Sequence, residues 1–159
     1  MLIQWRSKFE IGVEEVDAEH RHLAHPINSF YDLFRAGAGA DKVYTVLNLL
    51  VQYVERHFQN EEGLMEAAGY PDLERHRGLH DALTEQIFIL NEQCAAGVAR
   101  LTEATMEFLK TWLLNHILDE DKKIAEHFRG ARPAAGVPPS GARAVNRLAR
   151  AANRVLVDR

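Results

Sequence analysis

Four stretches of roughly 20 residues carry apolar side chains at steps of three and four, and almost no stretch shows the two-residue alternation of a strand. The first is predicted to run from a cap at Asp17 to about Arg35, with Val16, His20, Leu23, Ile27, Phe30 and Phe34 along one side. It ends at the sequence AGAGA. The second starts near Asp41 and continues to about Ala67 on Val43, Val46, Leu47, Leu50, Val54, His57, Phe58, Glu61 and Met65, and Gly69 stops it. The third is predicted to open at Pro71, a residue favoured in a first helical turn, and carries Leu73, His76, His80, Leu83, Ile87, Leu90 and Cys94 as far as Gly97. The fourth spans about Thr102 to Phe128 on Phe108, Leu109, Trp112, Leu113, His116 and Ile117. Helices of this length joined by short loops bury such stripes as an all-α, up-down-up-down antiparallel four-helix bundle.

The chain has 159 residues, enough for one domain with a core. The expected division is a bundle over 1–130 and, over 131–159, a Pro/Gly/Ala linker followed by a short extra helix. In that last part Val145, Leu148, Ala149, Ala152, Val155 and Leu156 share one helical face, and Arg143, Arg147, Arg150 and Arg154 take the other. The net charge of −4 divides unevenly, because residues 131–159 hold six Arg and one Asp. An acidic body of this kind is a poor binder of nucleic acid, and an anionic partner would meet the tail. The tail over 143–159 is expected either to pack loosely on the bundle or to serve as an adaptor for a protein partner or an anionic membrane surface. No apolar run reaches the ~20 residues of a membrane span. The opening MLIQWRSKFEIGVEEV lacks the apolar core of a signal peptide, and the single cysteine, Cys94, fits a reducing compartment, so a cytoplasmic location is expected.

Polar residues interrupt every stripe. His20 stands in the first, His57 and Glu61 in the second, His76 and His80 in the third, and His116 in the fourth. His57/Glu61 and His76/His80 are four residues apart, so each pair projects from one helix face with Cβ atoms about 5–6 Å apart, a spacing that can chelate one ion or bridge two. Burying this many ionisable groups without a cation would cost several kcal/mol each, against a net domain stability of only ~5–15 kcal/mol. A metal pair resolves the conflict. Zinc is a chemical alternative to iron, since imidazole suits both, yet the ligand set exceeds one tetrahedral zinc site and favours a dinuclear centre. His22, His25 and His127 lie off the stripes and are expected at the surface.

The motifs VDAEH ending at His20, HFQNEE with His57 and Glu61, HRGLH with His76 and His80, and HILDED with His116 and Asp121 resemble the hemerythrin family over about residues 5–128. The likeness is to its single-domain bacterial form, the bacteriohemerythrins. The resemblance implies two non-haem iron ions joined by an oxo or hydroxo bridge. His76, His80 and His116 would bind one, His20 and His57 the other, and Glu61 and Asp121 would bridge both. Asp121 is implied by that pattern alone: five residues after His116 a regular helix has turned about 140° away, and helix geometry would choose Glu120 instead. A π-bulge or loosened turn between His116 and Asp121 is therefore predicted.

Counting ligands on this scheme fills the three-His iron and leaves one position open on the two-His iron. The family's use of that position is reversible O2 binding, for storage, delivery or sensing. Di-iron oxidases in similar bundles rely on Glu and paired Glu-x-x-His motifs; five His and two carboxylates favour a carrier or sensor over an enzyme. Trp112 and Leu113 resemble the family's apolar lining of the O2 pocket. Two departures stand out in the first helix: Pro26, which removes a hydrogen bond to the His22 carbonyl and predicts a kink, and the small Ala24. Either could widen a channel to the metals. Alternatives are a redox or oxygen sensor that signals through the tail, and a di-iron peroxidase or NO-handling enzyme. A monomer is expected.

Overall fold

The computed structural model describes residues 1–97 and 102–130, the side chains of residues 40, 41 and 130 excepted. Among the described residues five α-helices follow a 3-10 turn at Ser7–Phe9: α1 Glu14–Arg35, α2 Ala40–Ala67, α3 Leu73–Ala95, α4 Glu103–His116 and α5 Lys122–Gly130. A π-helical turn over Ile117–Asp121 joins α4 to α5, so the fourth arm of the bundle is one long helix with a loosened turn inside it. The architecture is the predicted antiparallel four-helix bundle, with no strand among the described residues.

Up-down-up-down threading explains how the distant candidate ligands meet. Each of the five His and Glu61 lies in one half of its helix: the N-terminal half of α1 and α3, the C-terminal half of α2 and the C-terminal end of α4. Alternating chain direction brings those four halves to the same end of the bundle. The other end is closed by Ile27, Phe30, Leu47, Leu50, Ile87, Met106 and Leu109, all essentially without solvent contact. Each such side chain contributes about 1.5–3 kcal/mol through burial.

Several boundaries differ from the sequence-based expectation. Asp17 is not a cap: α1 begins at Glu14 after Val13, which makes no side-chain cap bond. Asp17 lies buried in the first turn, where its carboxylate accepts the N–H groups of Ile11 at 2.7 Å and Gly12 at 2.9 Å. It thereby fastens the N-terminal segment onto the helix. That segment is held further along by Asn28, whose Oδ1 accepts from the backbone N–H of both Leu2 and Ile3 at 2.8 Å. Pro71 does not open α3 either; the helix starts at Leu73, and Pro71 belongs to the preceding turn. Gly69 and Gly97 stop α2 and α3 as expected, each at a φ near +65° (64° and 68°) that L side chains avoid.

Two apolar assignments also change. Phe108 is 40% exposed, and Met106 takes the buried place instead, because the interior face of α4 runs through 106, 109 and 113. His127 is half-buried rather than exposed: its Nε2 lies 3.1 Å from the Ala68 carbonyl, and its ring meets Tyr70 edge-on. His22 and His25 are exposed, as predicted. α1 continues across Pro26 as one element, and Ala24 is buried in the core. No helix among the described residues is long and apolar enough to cross a membrane. The expected linker and tail helix at 131–159 lie outside the described residues.

Candidate metal centre

His20, His57, Glu61, His76, His80, His116 and Asp121 are all buried, and they converge at one end of the bundle. They form two overlapping groups. Glu61, His76, His80, His116 and Asp121 make one, and His20, His57 and Glu61 make the other. The π-helical turn is what brings Asp121 in. It lets Asp121 face the interior with His116, whereas Glu120 turns outward to Arg75 and Lys123.

The donor atoms lie within hydrogen-bonding distance of one another, and the same spacing suits a shared ion. His76 Nε2 and His80 Nε2 are 3.0 Å apart, and so are His80 Nε2 and His116 Nε2. Glu61 Oε2 lies 3.4 Å from His76 Nε2 and 3.2 Å from His80 Nε2. Asp121 reaches across, with Oδ1 3.2 Å from His116 Nε2 and Oδ2 3.1 Å from His20 Nε2. Ligands held about 2.1 Å from one ion lie about 3.0 Å apart along an octahedral edge, so these separations suit a shared cation. Neither oxygen of Glu61 or Asp121, and neither nitrogen of His20, makes a hydrogen bond among the described residues. Each such buried orphan costs about 1–3 kcal/mol, more when charged.

The protonation of the cluster shows the same conflict. Burial drives Asp121 well above the usual carboxylate range, and the Glu61 charge pushes it further. Burial would also raise Glu61, but His76 and His80 beside it hold it well below that range. His116 falls well below an ordinary imidazole through burial first and the neighbouring His80 second, and His20 falls through burial. His80 rises despite its burial, because Glu61 and Glu62 hold its proton. A cation among them would let both carboxylates ionise and every imidazole stay neutral.

Around the donors sits a shell the sequence reading did not single out. Glu19 Oε2 meets His57 Nδ1 at 2.9 Å, and Asn60 Nδ2 donates to Glu19 Oε1 at 2.6 Å. Burial raises the Glu19 carboxyl, yet its bonds from His57 and Asn60 bring it below its ordinary value. Glu62 Oε1 meets His80 Nδ1 at 2.9 Å in the same way. Both residues stand beside a ligand in sequence, at Glu19-His20 and Glu61-Glu62. That adjacency was the available signal, and a single helical stripe does not register neighbours one residue apart. Phe58 stacks on His80 at 3.6 Å between ring centres and meets His116 edge-on at 5.7 Å, fixing both rings.

Trp112 and Leu113 are buried one turn before His116. Trp112 also lines a groove of about 650 Å3 between α3 and α4, together with Leu83, Phe108 and His116. Trp5, in the N-terminal segment, packs near His20 at 6.3 Å between ring centres, and its indole N–H is buried without a partner among the described residues.

Residues 11–128 match the family described as the hemerythrin HHE cation binding domain. The bacteriohemerythrin of Methylococcus capsulatus is 31% identical over 76% of this chain and 92% of its own length. That of Clostridium acetobutylicum is 28% identical over 79% of this chain and all of its own. The myohemerythrin of Theromyzon tessulatum is 31% identical over 76% of this chain and 88% of its own. A solved structure titled as wild-type hemerythrin superposes with a TM-score of 0.73 at 30% identity, covering 79% of this chain and 97% of that one. With its four-helix bundle, its π-helical turn at Asp121 and a match spanning most of its length, the chain belongs to the hemerythrin family.

Proposed function

We propose that the protein reversibly binds O2 at a non-haem di-iron centre, serving oxygen storage, delivery or sensing without acting as an enzyme. The observation that carries this reading is the reach of Asp121, whose two oxygens lie 3.1 Å and 3.2 Å from imidazoles of the two different groups. Glu61 belongs to both groups as well. Two carboxylates shared in this way, with three imidazoles on one side and two on the other, support a pair of ions of unequal ligand number. Iron held there supplies two electrons and one open position for a diatomic ligand.

The chain's own residues do the rest. His76, His80 and His116 occupy one side fully, while His20 and His57 leave the other short by one ligand. Phe58, Trp112 and Leu113 exclude water around the donors, which slows proton entry and loss of the bound ligand. Trp112 and Leu113 are read as its apolar lining. All seven donors are turned toward one another, so none is left as a free acid or base for a substrate, which favours a carrier or sensor. In a member of this family so closed on itself, a monomer is the simplest assembly. The tail at 143–159 is read as the contact for a protein partner or an anionic surface; deleting 131–159 should weaken such binding and leave O2 binding unchanged.

The test is the optical spectrum of reduced, iron-quantified protein under argon, after O2 and after its removal. A visible band that comes and goes with O2, at two irons per chain, is the expected result. A band that persists after O2 is removed would overturn reversible carriage.

A further inference from the structure

Each of the two ligand groups contains one imidazole whose far nitrogen meets a carboxylate, but the two carboxylates live in different surroundings. Glu62, on His80, is buried, with only 5% of its side chain exposed, and Arg77 Nε stands 3.5 Å from its second oxygen. Arg77 is anchored in turn by Glu66 and Glu74. Glu19, on His57, keeps 31% of its side chain exposed, and its second oxygen takes a neutral amide donor from Asn60. Among the described residues no Lys or Arg pairs with it.

We propose that Glu19 is the positioning residue of the two-His site, fixing the tautomer of His57 and strengthening it as a ligand, while Glu62 does the same for His80 with part of its charge offset by Arg77. The proposal rests on the two-ion reading above. A carboxylate can only accept, so the shared proton sits on His57 Nδ1 and leaves the Nε2 lone pair directed at the ion. The negative charge of Glu19, offset by no Lys or Arg among the described residues, draws that proton and makes the imidazole a stronger donor. A stronger donor would favour a higher charge on an ion held there, and on the two-ion reading His57 belongs to the group with fewer imidazoles. Asn60 donates to the other oxygen of the carboxylate, and it lies three residues after His57 on α2, so the same helix sets both partners of Glu19. The asymmetry is thus built into the outer shell as well as into the count of imidazoles.

The test uses the full chain stripped of metal and titrated with Co2+, followed by visible absorption and competition with a chelator. The wild type is expected to take two ions. Glu19→Gln, which keeps the shape and one acceptor but removes the charge, should still take two, with one site weakened about 10–100-fold. Asn60→Leu should weaken the same site less. Glu62→Gln should affect the other site by a smaller factor than Glu19→Gln affects its own.

A readout that a merely structural role would not move is the Nδ1 proton resonance of His57 in the Zn2+-loaded protein. It should shift upfield in Glu19→Gln while that of His80 stays in place. Two sites of wild-type affinity in Glu19→Gln, or equal losses at both, would overturn the proposal and leave the two-ion reading standing. A wild type that takes up no second ion would overturn both.

Discussion

The two ends of this bundle are built from the same helices with the same periodicity, yet they are held together by opposite means. At one end Phe30, Leu47, Leu50, Ile87 and Leu109 meet as apolar surfaces that need nothing further. At the other, the same interior positions carry donors that are incompletely paired: among the described residues the four buried oxygens of Glu61 and Asp121 make no hydrogen bond. The apolar end pulls the helices together in any state. On the proposed reading the donor end opposes folding until a cation arrives, so binding there would add to stability by mass action. One end supplies the surplus that lets the other remain incomplete, a division in which functional sites depart from local rules and the rest of the fold compensates.

The strongest way to break this contrast is to remove the residue that spans both ligand groups. Asp121→Ala is expected to reduce metal content from two ions per chain to one or none, measured by elemental analysis after desalting. Glu120→Ala should keep both, since Glu120 faces Arg75 and Lys123 outside the cluster. The opposite pairing of results would return the ligand role to the position that regular helix geometry favours. At the apolar end, Leu50→Ala should cost about 2–5 kcal/mol in chemical denaturation. The loss should be the same within error for ion-free and metal-loaded protein. A loss that depends strongly on metal would mean the two ends are not energetically separate.

The division itself was readable in the chain only in part. Period and breaks located all four arms, because each helix buries a continuous stripe and the interior does not tolerate other patterns. The polar intruders on those stripes were legible for the same reason: a His or Glu at a core position is an exception that needs a partner. What failed were readings that depend on one residue's immediate neighbours. Asp17 resembles a cap by type, but the backbone donors it serves belong to Ile11 and Gly12 in the preceding segment. Phe108 is apolar by composition, yet it sits a step away from Leu109 and lines an open groove. Glu19 and Glu62 lie one residue off the stripe and reach the ligands around its edge, a geometry that a one-dimensional pattern cannot express. Asp121 is the converse case. A regular helix hides it, and only the π-helical turn, which the family resemblance implied against helix geometry, returns it to the interior.

A smaller effect separates the ends by pH. In the ion-free protein Asp121 titrates well above its unfolded value of 3.8, chiefly through burial and then through the Glu61 charge. A carboxyl raised in this way contributes stability that is complete below the unfolded pKa and is lost as pH rises through the folded one. Asp121→Asn cannot ionise, so the ion-free variant should exceed the ion-free wild type by about 1–3 kcal/mol at pH 7, with the difference closing toward pH 4. Metal should reverse the order, because only the wild type keeps the carboxylate proposed to bridge the two ions. A pH-independent difference would show that Asp121 is not the group under strain.

The smallest prediction concerns the apolar end alone. Thr102 caps α4, accepting from the Thr105 N–H at 3.2 Å while the Thr105 hydroxyl receives the Thr102 N–H at 3.4 Å. These bonds satisfy donors that the first turn of a helix otherwise leaves open. Thr102→Ala should lower unfolding free energy by about 1 kcal/mol, a shift of a few degrees in melting temperature. Because the cap stands some 14 residues before His116, about four turns along the same arm, ion number and chelator competition should not change. Unaltered metal affinity beside a measurable loss of stability is the signature of two ends that share helices but not their energetics; a weakened metal site in this variant would show instead that the arm transmits disorder along its whole length.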